Sequence, residues 1–296
     1  MITRKSLPGV MLAVEGTLED LERRDVSADT KWDGTRLLLI KMGSIVRLFV
    51  ARGKHTEYTE KYPDVVAEGQ KLNCKSCILD GEFVFMTKKE HDFFLPISAN
   101  PETIGNKIYH YMVFDIIKLN GMDLRKTGIP LKQRQMKLMS IIPSHLKLIK
   151  RNPVIEKNFK KFYADQIKKS REGIMLKEVN SPYRSERSKE WLKIKYKRDI
   201  DVLVKGGTVG TGFRKPYFGA LHCFYPIRGV LTYVGDVGTG FSDDELRIIR
   251  VLLRRKKSFV IQVKFYEFSQ HDHMRFPVFV RLRPDKNLYD VMKSGG

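Results

Sequence analysis

The apolar positions change texture along the chain. From residue 36, "RLLLI" and "SIVRLFV" flank "KMGS", a pattern that predicts a β-hairpin. "TEKYPDVVAEGQKL" reads as a helix behind it. "CILDGEFVFM" and "KIYHYMVFDIIKL" read as strands rich in β-branched and aromatic residues. Pro130 opens a helical run, "PLKQRQMKLMSII", at a position that helices tolerate. "EKNFKKFYADQIKKS" spaces Phe159, Phe162 and Ile167 on roughly one face of another helix. "GIMLKEV" and "WLKIKYK" return to strands. Strands mixed with helices, without regular alternation, predict an α+β domain over residues 1–197.

Beyond residue 197 short strands alternate with glycine turns: "GGTVGTG", "YFGALHCFY", "GVLTYVGDVGTGF". One helix follows, "SDDELRIIRVLLRR", where Ser242 and Glu245 have capping-box spacing. "FVIQVKFYEF" and "FPVFVRLR" return to strands. Short strands with a single helix suit a small barrel of the OB type over residues 198–296. The string "VGTGF" occurs at 209–213 and again at 237–241, a recurrence rather than a structural period.

Charge adds a partner to this picture. Lys and Arg number 55 against 34 Asp and Glu, a net +21, which implies a polyanion, nucleic acid before an anionic membrane. From residue 198 onward there are 17 basic and 10 acidic residues, leaving 38 and 24 for the first 197. The excess is therefore +7 and +14, spread over both parts, as suits a protein that wraps its partner. Cys74 and Cys77 form a lone C-x-x-C with Cys223 far away, too few ligands for structural zinc and consistent with reduced thiols. "MITRKSLPGVML" lacks an apolar signal core, and no apolar run reaches membrane length, so a soluble cytoplasmic protein is expected.

The candidate chemistry begins at "KWDGTR", residues 31–36. Alone it reads as an Asp-Gly turn between solvated cations. It is followed in order by "ARGK" at 51–54, "LDGEFV" at 79–84, "VFDII" at 113–117, "EGIMLK" at 172–177, "WLKIK" at 191–195 and "FPVFVRLRPDK" at 276–286. This series resembles the motifs of the covalent nucleotidyltransferases, most closely the ATP-dependent DNA ligases. Within these it resembles the minimal ligase domain of bacterial and archaeal end-joining systems, through "GTGFRKPYFGALHCFY" and "YVGDVGTGF".

The resemblance implies a nucleotidyltransferase (ATP-grasp-like) domain of antiparallel sheets and helices, followed by a C-terminal OB-fold barrel. It makes Lys31 the nucleophile that attacks the α-phosphate of ATP and forms a phosphoramidate. Lys193 and Lys195, alternating on a strand and so sharing a face, would meet that phosphate. Asp33, Gly34 and Arg36 would shape the turn and hold the nucleotide. Glu82 would contact the ribose, Glu172 the divalent metal, with Glu82 as second carboxylate. Phe114 and Met175 would sandwich the adenine, and Lys177 would also bind the nucleotide. Arg36, Arg52 and Arg187 would contact DNA, Arg52 at the 5′-phosphate of a nick, where a guanidinium fork suits phosphate. Arg283, Asp285 and Lys286 would orient the leaving pyrophosphate, which requires a hinge near residues 196–200. Two positions depart from the family pattern: Ala51 stands where serine is usual, and Ser185-Glu186 where glycine is usual.

The implied cofactors are ATP and Mg2+, with Mn2+ as an alternative. The partners are nicked duplex DNA and end-joining repair proteins, and the chain is expected to act as a monomer. No nicotinamide-binding segment lies in the 30 residues before Lys31 and no four-cysteine module follows, so ATP rather than NAD is the expected donor and a minimal two-domain ligase the expected organisation. A capping guanylyltransferase and an RNA ligase share the lysine motif. A catalytically silent nick-binding protein would have eroded Lys31, Glu172 or Lys195, and all three are intact.

Overall fold

A computed structural model describes residues 7–86, 92–93, 97–98, 108–169, 171–255, 257–269 and 271–294. The chain divides into two compact units, Met1–Lys195 and Tyr196–Gly296. In the first unit the strands are β1(Leu12–Glu15), β2(Val26–Thr30), β3(Thr35–Met42), β4(Ile45–Val50), β5(Ser76–Met86), β6(Asp92–Phe93), β7(Ile108–Leu119), β8(Met122–Asp123), β9(Ile149–Arg151), β10(Val154–Ile155), β11(Gly173–Glu178) and β12(Arg187–Lys195). The helices are α1(Pro63–Gln70), α2(Leu131–Ile141) and α3(Phe159–Lys168).

One sheet follows the order β4-β3-β5-β7-β8, with β6 on β5 and β9 on β7. The other follows β1-β12-β11-β2-β10. Most pairings are antiparallel, as expected, but β1–β12 and β7–β9 are parallel. Those strands of three and four residues carry too little periodicity to be read beforehand.

The predicted hairpin is β3–β4, which turns through Gly43 at φ 59°. β3 is apolar at consecutive positions because both of its faces are covered. Leu37 and Leu39 pack with Val65 of α1 and with Leu138 and Ile141 of α2. Leu38 and Ile40 face the other way, onto Trp191 of β12 and Tyr183. Each such fully buried leucine contributes about 1.5–3 kcal/mol. The second sheet covers its far face with α3: Ile174, Leu176, Leu192 and Ile194 pack on Phe159. The two sheets therefore share a seam between β3/β5/β7 and β11/β12. The helix expected from "TEKYPDVVAEGQKL" is shorter than its pattern and begins at Pro63. A residue before proline is pushed out of the helical region, and Tyr62 sits at φ −126°, ψ 63°.

The second unit is one antiparallel sheet in the order β15-β14-β13-β16-β17. Its strands are β13(Arg198–Gly207), β14(Leu221–Ile227), β15(Val230–Val237), β16(Phe259–Phe265) and β17(Val278–Leu282). Helix α4(Asp243–Arg254) lies between β15 and β16 in sequence and packs Leu246 and Ile249 on Val202, Val204, Ile261 and Val263. Its capping box forms as its spacing predicts: Glu245 N–H donates to Ser242 Oγ at 3.4 Å, and Ser242 N–H donates to Glu245 Oε2 at 2.8 Å. α5(Leu288–Lys293) was not anticipated. It places Val291 on Leu203 and Val260.

Candidate nucleotidyl-transfer site

Lys31 follows the last residue of β2, and its neighbours hold it there. Its N–H donates to the Gly173 carbonyl at 3.1 Å. On one side Thr30 Oγ1 donates to Gln166 Oε1 at 3.0 Å. On the other, Trp32 Nε1 donates to Asn152 Oδ1 at 2.8 Å, and the Arg171 guanidinium lies 4.4 Å from the Trp32 ring. Gly34 is required by proximity. A Cβ there would stand 2.3 Å from the Phe83 carbonyl oxygen, so the K-x-D-G turn passes against β5 with no room for a side chain.

The Lys31 ammonium pairs with one oxygen of Glu172. Lys195 Nζ lies 2.8 Å from the other. Burial raises the Glu172 carboxyl's affinity for its proton, but Lys31 and Lys195 more than offset this and hold it below the usual carboxylate range. The following Gly173 has φ 140°, and a Cβ there would lie 2.1 Å from the Ile194 carbonyl oxygen. This close approach sets Glu172, just before the first residue of β11, beside Lys195. Lys193 and Lys195 alternate on β12, as expected. They meet different carboxylates, however, with Lys193 Nζ 3.4 Å from Glu15.

The facing sheet supplies Glu82 on β5, directly opposite Arg36 of β3 in the register. Desolvation pushes Glu82 up to about 8, against the pull of Lys31 and Arg36. Arg36 is bidentate to the fully buried Asp80, with Nε at 2.9 Å and Nη2 at 2.6 Å. Tyr183 donates its hydroxyl to the same carboxylate at 2.6 Å and accepts the Met11 N–H at 3.1 Å. The Arg36 guanidinium lies 5.2 Å from the Phe114 ring. Phe114 and Met175 are both half-buried at the edge of the seam cluster. Lys177 is almost wholly buried. Its ammonium is 2.5 Å from Asp29 and 4.7 and 4.4 Å from the Phe114 and Trp191 rings. Burial raises Asp29, with Lys177 opposing.

The remaining sequence-selected residues have these places. Asp33 is half-exposed. Arg52 is exposed on the turn after β4, where Ala51 N–H donates to the Arg36 carbonyl at 2.9 Å. Arg187 is exposed at the start of β12 and donates to the Ala13 carbonyl at 2.7 Å. In the second unit Arg283, Asp285 and Lys286 gather around Asp201. Arg283 Nη1 is 3.0 Å from both its oxygens and Lys286 Nζ is 2.6 Å from one. The Arg283 hydrogen bond draws the exposed Asp285 down to about 2. Among the described residues no three His, Cys, Asp or Glu converge on a common point.

Sequence reading missed Asp29, Asp80, Asn152, Gln166, Tyr183 and Asp201. Asp29 was within reach, since it lies only two residues before Lys31. Asn152 and Tyr183 meet the site across 120 and 103 residues of sequence and leave no local pattern. A deeper support was also missed. Buried Arg134 of α2 binds both oxygens of buried Asp115 at 2.7 and 3.0 Å and donates to the carbonyls of Ile129 and Ser181.

The family model for the ATP-dependent DNA ligase domain matches residues 8–195, well over half of the chain. The chain belongs to this family. A DNA ligase of Archaeoglobus fulgidus is 28% identical over 306 residues, covering 90% of this chain and 53% of its own. The multifunctional non-homologous end joining protein LigD of Mycobacterium bovis is 26% identical over 309 residues, covering 96% of this chain and 39% of its own. The chain thus spans about half or less of these relatives. The crystal structure of the ligase domain from M. tuberculosis LigD superposes with a TM-score of 0.57 at 23% identity, covering 96% of this chain and 97% of that one. The mixed α+β architecture with three sheets is the ligase fold. Among the described residues no helix is long and apolar enough to cross a membrane.

Proposed function

We propose that this protein is an ATP-dependent DNA ligase that seals nicks or breaks in duplex DNA, in repair by end joining. One observation carries the reading: the Lys31 amine and Lys195 share the Glu172 carboxylate, on strands that face Glu82 and Arg36. A carboxylate between two lysines is a place where phosphate oxygens can exchange for carboxylate oxygens. The Lys31 amine attacks the α-phosphorus of ATP, an N–P bond forms, the α–β phosphoanhydride bond breaks and pyrophosphate leaves. Attack needs the free amine, so Lys31 must lose a proton and release Glu172 first. AMP then passes to the 5′-phosphate of the nick. The 3′-hydroxyl attacks that phosphate and AMP departs with its own phosphate. Lys193 and Lys195 offset charge on the α-phosphate, and Arg36 and Glu82 position the ribose. Phe114 and Met175 bracket the adenine, and buried Lys177 and Asp29 back that pocket. Arg52 and Arg187 meet DNA phosphates, and Arg283, Asp285 and Lys286 orient the pyrophosphate.

Glu172 and Glu82 suit Mg2+, which is commonly held by one or two carboxylates plus substrate phosphates and water. When bound it would neutralise phosphate charge. Residues 198–296, nearly all of the second unit, we read as an OB-fold. Its five antiparallel strands, with a helix between the third and fourth, support this. DNA affinity would rest on backbone contacts and fall steeply with salt.

The test is a sealing assay with three acceptors: nicked DNA, nicked RNA, and RNA bearing a 5′-terminal diphosphate. Joined DNA with ATP is expected. Joining of RNA alone, or transfer of GMP to the diphosphate end, would replace this reading with an RNA ligase or a capping enzyme.

A further inference from the structure

The nucleotide site makes no use of the C-x-x-C pair. Cys74 lies in the turn between α1 and β5, and Cys77 is the second residue of β5. Cys77 is 2% exposed, inside the core cluster that α1 and α2 close. Cys74 is half-buried against the same cluster. Both thiols are free. A small reagent can reach Cys74 from solvent, and Cys77 is shielded from it.

The turn that carries the pair is fixed from three directions. Asn73 N–H donates to the Ile141 carbonyl at the end of α2, at 2.9 Å. Lys75 N–H and Ser76 N–H both donate to Asn120 Oδ1, at 2.9 and 3.1 Å. Gly43 N–H donates to the Lys75 carbonyl at 2.8 Å. The main chain therefore holds the two cysteines in place, with a hydrogen bond between their side chains. Joining the two sulfurs asks for a small approach and no unfolding of the turn.

The charge around the pair favours a thiolate. Lys41 stands opposite Cys77 in the β3–β5 register and is buried. Its Nζ donates to the carbonyls of Gln70 and Leu72, at 2.6 and 2.7 Å, and so brings a cation to the turn itself. No Asp or Glu occurs between Glu68 and Asp80, a stretch that carries exposed Lys71 and Lys75. The hydrogen bond from Cys77 and the Lys41 charge draw the Cys74 thiol below its ordinary value, against burial. Cys77 is pushed the other way, by its bond to Cys74 and by burial. Exposure and charge assign the same roles: Cys74 reacts first and Cys77 follows.

We propose that Cys74 and Cys77 form a peroxide-sensitive modification site that closes reversibly to a disulfide. The Cys74 thiolate sulfur attacks one oxygen of hydrogen peroxide. An S–O bond forms, the O–O bond breaks, and the departing hydroxide takes a proton and leaves as water. The Cys77 thiol then gives up its proton and its sulfur attacks the Cys74 sulfur. An S–S bond forms, the S–O bond breaks, and the hydroxide leaves with that proton as a second water. The thiol pair is oxidised and the peroxide is reduced. A small dithiol reverses the step by exchange. The site has no part in nucleotide transfer and does not rest on the ligase reading.

The experiment treats the folded full chain with hydrogen peroxide, removes the peroxide, and labels the remaining thiols with N-ethylmaleimide in denaturant. Intact mass and peptide mapping then count and place the labels. The chain has three cysteines, so the untreated protein should carry three labels. The treated protein should carry a label on Cys223 alone, with the Cys74 and Cys77 peptides joined, and dithiothreitol should restore all of them. Fully buried Cys223 reports that the fold stayed intact during oxidation. Cys77→Ala should stop at a sulfenic acid on Cys74, which dimedone traps, and Cys74→Ser should give no such adduct on Cys77. Full labelling after peroxide would overturn the site, as would a sulfinic acid on Cys74 with Cys77 still labelled. Loss of the Cys223 label together with the others would show that oxidation follows unfolding and would overturn it too. No nucleotide is present, so a failure of the ligase reading leaves this result untouched.

Discussion

Two clusters of cations in this molecule share one plan and lie in different units. In the first, Glu172 takes Lys31 and Lys195. In the second, Asp201 takes Arg283 and Lys286. Each carboxylate is largely buried and each assembles cations that would otherwise repel. They differ in what the cations can become. A lysine can give up its proton and form a bond to phosphorus, whereas arginine stays charged and serves by fork geometry. The backbone around Lys31 is pinned on both sides, by Gln166 and Asn152. In the proposed reading both clusters meet phosphate, and the nucleophile is the lysine that stands on a fixed main chain.

The comparison breaks most sharply at the proposed nucleophile. Lys31→Arg keeps the charge and should abolish AMP transfer completely, read by intact mass after incubation with ATP. Residual transfer would mean that another lysine can serve. Next come the partners. Lys195→Met should slow adenylylation by about 100- to 1000-fold, the scale of one preorganised charge at a developing anion. In the second cluster Arg283→Ala should slow adenylylation by a smaller factor, about 10- to 100-fold. It should leave the sealing of a pre-adenylylated nick unchanged in a single-turnover assay. Equal loss in both assays would give Arg283 a role in every step.

In the first unit the buried partners of Arg36 bear on stability. Asp80→Ala leaves Arg36 without its buried partner and should cost about 3–5 kcal/mol in urea unfolding. Tyr183→Phe removes one hydrogen bond to that carboxylate and should cost about 1 kcal/mol. The smallest effect concerns acid. Asp285 is drawn down to about 2, so its contact with Arg283 is intact above the ordinary carboxylate value and is lost as pH falls toward 2. Carboxyl chemical shifts in an acid titration should place Asp285 well below the other exposed aspartates. A titration at the ordinary value would mean that the Asp285–Arg283 contact does not persist in solution.

Much of this was legible in the sequence because the chemistry is local to short strings. The order of motifs located Lys31, Glu172 and Lys195, and strand alternation put Lys193 and Lys195 on one side of β12. The hairpin and the Ser242 capping box were equally plain, since each depends on neighbours within a few residues. What was hidden is set by long-range pairing. Asp201 lies 82 residues from Arg283, and Asp80 meets Tyr183 across 103. Arg134 reads as an ordinary helix-surface arginine until Asp115 is placed beneath it. The two "VGTGF" copies make the same point from the other side, because Val237 is buried while Val209 is exposed.

The most direct measurement is the mass of the chain after incubation with Mg2+ and ATP, with the modified peptide sequenced after prior pyrophosphate treatment to strip any bound AMP. The account predicts one AMP on Lys31, formed from ATP and not from GTP. An unmodified chain, or AMP on a different residue, would contradict it.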